Sequence, residues 1–80
     1  MDIDLARDMI RTAFRSSSEL QELLGTLKEK CSSEEFKDYA RGIAGAMDAI
    51  GVALTNKALS AYPELHAEVD ASIEKYGRYR

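Results

Sequence analysis

One cysteine and one proline stand in the whole 80-residue chain, and no uncharged run approaches the length of a bilayer span. Each scarcity excludes something. A lone Cys31 forms no internal disulfide, whereas small secreted domains of this length commonly carry several. The longest nearly uncharged stretch, residues 42–56, is interrupted by Asp48 and falls short of the roughly 20 apolar residues that cross a membrane. The segment "MDIDLARDMI" is acidic and amphipathic, unlike a secretory leader with its basic start and apolar run. A cytoplasmic protein with no membrane association is the expectation.

A basic balance is also missing. The net charge is −3, and lysine and arginine are interspersed with aspartate and glutamate. A nucleic-acid module normally shows a basic stripe, so nucleic acid is not the expected partner. The one locally basic stretch, "EKYGRYR" at residues 74–80, reads as a frayed, solvated tail. Its alternative is a nucleic-acid contact through residues 77–80.

What is present is helix. Ala, Leu, Glu, Lys and Arg dominate and β-branched residues are sparse, so helix propensity is high almost throughout. In the first segment Ala6, Ile10, Ala13, Ser17, Leu20, Leu24, Leu27 and Cys31 recur at alternating steps of four and three. In the second, Phe36, Ala40, Ile43, Met47, Ile50 and Leu54 do the same, with Ala58 and Ala61 near the continuation. That spacing is the seam of packed helices. The first stripe passes through Ser16–Ser18 without a slip, which predicts one long helix over 3–30 with a weak point at the serines.

Ser32, with Glu35 three residues on, forms a capping box that opens a second helix over 33–61. Pro63 suits the first position of a third, over 63–76, and Gly77 suits its C-terminal stop. The tight turn at Cys31–Ser32 makes the first two helices antiparallel neighbours, with Leu27 opposite Phe36, Leu20 opposite Ile43 and Ile10 opposite Leu54. The third helix, carrying Leu65, Val69, Ile73 and Tyr76 on one face, folds back onto this hairpin. The expected architecture is all-α, one helical domain over 1–80. A chain this short buries roughly 60% of its surface. Without staples such a core is marginal, and a bundle formed as a homodimer is expected.

Rotation by about 100° per residue puts Asp48 beside Lys37, Arg41 and Thr55 on a solvated stripe of the second helix. The alternative is a semi-buried Asp48 paired with Arg11 or Arg15. On another flank the same rotation gathers Gly42, Ala46, Ala49 and Ala53. Glycine inside a helix costs up to about 1 kcal/mol relative to alanine, so a compensating contact is expected there. The neighbour is either the third helix of the same chain or the second helix of another copy.

Catalytic signatures are few. His66 precedes Asp70 by four residues, but two ligands do not make a metal site. Cys31 ends an apolar stripe and reads as a small hydrophobe, with a redox or nucleophilic role as its alternative. The glycines of "GIAGAMDAIG" fall within a helical pattern without a lysine, so no phosphate loop is read. The expected function is therefore a non-enzymatic interaction or regulatory module. It has no cofactor, no metal and no catalytic residue. Its partner is a second copy, with an unidentified protein as a further partner, and its interface lies on Gly42, Ala46, Ala49 and Ala53. The alternative is a small redox or metal-dependent protein whose site is assembled across a dimer from Cys31, His66 or Asp48.

Overall fold

Asp2 starts the first helix: its carboxylate accepts a 2.8 Å hydrogen bond from the Leu5 amide, satisfying an orphan donor of the first turn. The computed structural model, which describes residues 1–80, carries α1 without a break from Ile3–Lys30, through the three serines. The capping box then forms in both directions, Glu35 amide to the Ser32 hydroxyl and Ser32 amide to the Glu35 carboxylate, each at 3.2 Å. Holding this ion-accepted geometry lowers the Glu35 pKa below the usual carboxylate value, chiefly through the backbone hydrogen bond from Ser32.

The second arm runs over 33–61 as expected, but not as one regular α-helix. It comprises α2 (Ser33–Ile50), a π-helical turn (Gly51–Asn56) and α3 (Lys57–Ala61). The apolar stripe explains the insertion. After Met47 and Ile50 the inward residues are Leu54, Ala58 and Tyr62, three successive steps of four. At 3.6 residues per turn such steps drift off the seam, and a wider π turn takes up the excess. Ala58 is thereby fully buried against α1, whereas Ala61, the step-of-three alternative, is exposed.

All eight stripe residues of α1 and its turn are buried or half-buried, and so are the six of α2 and the π turn. The antiparallel register holds at the level of Leu54, which borders a shallow depression with Met9 and Thr12, and at Ala58, which clusters with Ala6 and Ile10.

The third helix, α4 (Leu65–Tyr76), begins two residues later than Pro63 suggests. Pro63 and Glu64 form a turn instead, with the Leu65 amide bonded to the Tyr62 carbonyl and the His66 amide to that of Pro63. Gly77 ends α4 in the left-handed conformation (φ 75°), its amide reaching the Ile73 carbonyl. Leu65 and Val69 enter the core as expected, but Ile73 and Tyr76 are exposed and Ser72 faces inward.

The reason lies in the residues after Gly77, which do not form a solvated tail. The Ser72 hydroxyl donates to the Arg78 carbonyl and accepts from the Arg80 amide, both at 2.9 Å. This strap turns the chain back so that Tyr79, only 6% exposed, joins Ala6, Ile10, Ala58, Leu65 and Val69 in the core. Its hydroxyl donates to Glu68 at 2.8 Å, and Arg7 holds the same carboxylate at 3.0 Å.

The result is thin and long, 44 × 25 × 14 Å across the Cα positions. The core occupies one end only. Seven residues are buried, none of them in α2, and beyond Ser18 the hairpin is two helices with no third layer. No helix is long and apolar enough to cross a membrane.

Candidate interaction face

α4 and the returning strap lie on the side of α1 that carries Arg7 and Phe14, whose ring meets Tyr79 at 6.4 Å between centroids. Leu5 and Leu23 each stand nine residues from Phe14, about two and a half turns, and therefore point to the opposite side. Both are about half exposed. In an antiparallel hairpin that same side receives the Gly42, Ala46, Ala49 and Ala53 flank of the second arm, while Lys37 and Asp48 turn the other way.

The third helix does not cover this flank. All four residues are exposed, and a methyl group added at Gly42 would meet nothing within 4 Å. Of the two expected neighbours the fold-back helix does not hold: α4 packs at the Ala6–Ile10 end, on the other side of the slab, because Leu65, Val69 and Tyr79 find their apolar neighbours there. One member of the flank escapes a reading that looks only for small residues. Tyr39 is 53% exposed, and residues 39, 42, 46, 49 and 53 advance by three and four in turn. That is a second helix-packing seam beside the first, and the same spacing rule finds it.

The open face thus combines the exposed ridge of Leu5 and Leu23 with a groove of missing side chains ended by Tyr39. The molecule as a whole is extended. The chain exposes 5665 Å². A folded monomer of 8.9 kDa is expected to expose about 4,800 Å². The radius of gyration, 14.7 Å, likewise exceeds the about 11.6 Å of a compact chain of this length.

The other candidate residues stay apart. Asp48 is exposed, and neither Arg11 nor Arg15 pairs with it; Arg11 instead reaches Asp8 at 3.6 Å, so the semi-buried alternative does not hold. Cys31 is half-buried at the hairpin turn, while His66 is exposed at the opposite end, on α4. No three histidine, cysteine or carboxylate side chains converge. No protein-family model matches the chain, and no curated protein or solved structure matches it either.

Proposed function

We propose that the protein is an interaction module that works as a homodimer, the open face of one copy covering that of the other. The surface excess carries this reading. The chain exposes about 850 Å² more than a compact monomer of its mass should. A standard protein interface removes roughly 800 Å² from each partner. A second copy also suits the relief of the face. Leu5 and Leu23 supply bulk, and Gly42, Ala46, Ala49 and Ala53 supply room, so a two-fold axis sets large against small.

Sedimentation from micromolar to millimolar chain concentration tests it. The expected result is a reversible dimer that Ala46→Glu with Ala49→Glu converts to monomer, helical content unchanged. A chain that stays monomeric throughout, or a dimer indifferent to the two glutamates, would overturn it.

A further inference from the structure

The strap that returns through Tyr79 builds a second feature, independent of the dimer. Between α1 and the strap lies a cavity of about 390 Å³, lined by Arg11, Phe14, Arg15, Ser18, Arg78, Tyr79 and Arg80. Four of the chain's eleven lysine and arginine residues meet there, in a protein whose net charge is negative. Clustered like charges repel, and a shared anion removes that repulsion.

Part of the wall is held in place. The Tyr79 ring is buried, tied by its hydroxyl to Glu68, and the Arg11 guanidinium lies 5.0 Å over it while donating to the Arg80 carbonyl at 3.2 Å. Arg80 rests over the Tyr76 ring at 4.7 Å. Glu68, the nearest strongly held carboxylate, is already taken by Arg7 and Tyr79. The one carboxylate that Arg11 reaches is Asp8, at a long 3.6 Å. The side chains of Arg15 and Arg78 make no hydrogen bond or ion pair at all, so their donors are free.

We propose that this cavity binds a multiply charged phosphate anion, such as the pyrophosphate group of a small organic phosphate. Guanidinium forks recognise carboxylate and phosphate alike. Here the lining comes from two elements, Arg11, Arg15 and Ser18 from α1, Arg78 and Arg80 from the strap. Donor-bearing residues on two opposed walls match a tetrahedral group with three or more acceptor oxygens better than a planar carboxylate. The volume falls within the range of small-molecule sites, about 300–1,000 Å³. One compact cavity on an acidic chain, without an extended basic stripe, favours a small anion over a nucleic-acid backbone.

The test is titration of the full chain with inorganic pyrophosphate, following the arginine Nε–H resonances. Saturable one-site binding that shifts Arg15 and Arg78 is expected. Arg15→Gln and Arg78→Gln should each weaken it about tenfold, and Arg41→Gln, on exposed α2, should not. Because the substituted side chains hold no partner, the variants keep the fold, and matching thermal midpoints without ligand check this. Four results would each overturn the proposal. They are shifts that never saturate, binding that survives the double substitution, equal affinity for a tri-glutamate peptide, and tighter binding of a single-stranded oligonucleotide.

Discussion

Gly42 and Gly45 offer a comparison in which one substitution separates a bare surface from a covered one. Both lie inside α2, both are exposed, and a Cβ built on either meets nothing within 4 Å. Within one chain, therefore, Gly42→Ala and Gly45→Ala should act alike. Each replaces the worst non-proline helix former with the best, a gain of about 0.8–1.0 kcal/mol. For a domain of this size that corresponds to a rise in Tm of about 4–6 °C.

The two sites differ only in direction. Gly42 sits within the Tyr39–Ala53 seam, whereas Gly45 lies about 60° further round, on the edge of α2 that points directly away from α1. If a second copy crosses the seam closely, Gly42→Ala adds a methyl group to each side of a tight contact. Overpacking of that kind costs about 1–3 kcal/mol, or roughly five- to 150-fold in dimer affinity. The assay is thermal unfolding at dilute concentration beside sedimentation at high concentration. Gly45→Ala should raise Tm and leave association intact. Gly42→Ala should raise the dilute Tm and weaken association. Equal gains in Tm with unchanged association for both variants would refute the close crossing.

Three further outcomes follow from the buried end. Ile10→Ala, at a fully buried position, should cost about 2–5 kcal/mol, measured by urea unfolding, a large share of the stability of so small a domain. Glu68 is held below the usual carboxylate value of 4.5, first by the Arg7 hydrogen bond and then by that of Tyr79. Its contribution is therefore present above that value and lost as pH falls through the depressed one. Glu68→Gln should flatten the acid limb of the stability profile. Tyr79 is raised above 10.0 by burial and by its bond to Glu68, so its contribution is present below 10 and lost as pH rises through the elevated value. Tyr79→Phe should remove that alkaline loss in a pH-dependent unfolding series, at a cost near neutrality of about 1 kcal/mol.

The hairpin was legible because its information is periodic. Stripes of four and three name the seam, and the Ser32–Glu35 pair names the turn, so the arms over 3–30 and 33–61 follow from spacing alone. The π turn was not legible, although its trace is in the sequence. Tyr62 takes the inward place that a regular helix offers to Ala61, and only the buried Ala58 fixes which continuation wins. The strap was misread for a different reason. A basic, tyrosine-bearing stretch after a glycine looks solvated, but Ser72 supplies both a donor and an acceptor that fold it back. Such long-range pairing of a serine with the backbone six and eight residues on carries no period to detect. Asp48 was placed correctly by rotation, because a single charge on an amphipathic helix has one inexpensive direction to point.

The uneven burial links the two ends of the molecule to association. Near Ile10 a third layer encloses the seam, and every buried residue of the chain lies at that end. From Leu20 to Met47 the same seam is flanked on both sides by water, and its residues are no more than half-buried. Apolar burial at roughly 25 cal/mol per Å² is the main favourable contribution to folding. It must offset about 1–2 kcal/mol of backbone entropy for each ordered residue. That balance is met with least margin in the outer hairpin. In the proposed dimer, the second copy would add burial where the single chain has least, over Leu23, Tyr39, Gly42 and Ala46. That added burial would raise the stability of the already helical hairpin with chain concentration, by mass action. The arginine cavity lies at the three-layered end closed by Tyr79, on the side of α1 away from the proposed interface.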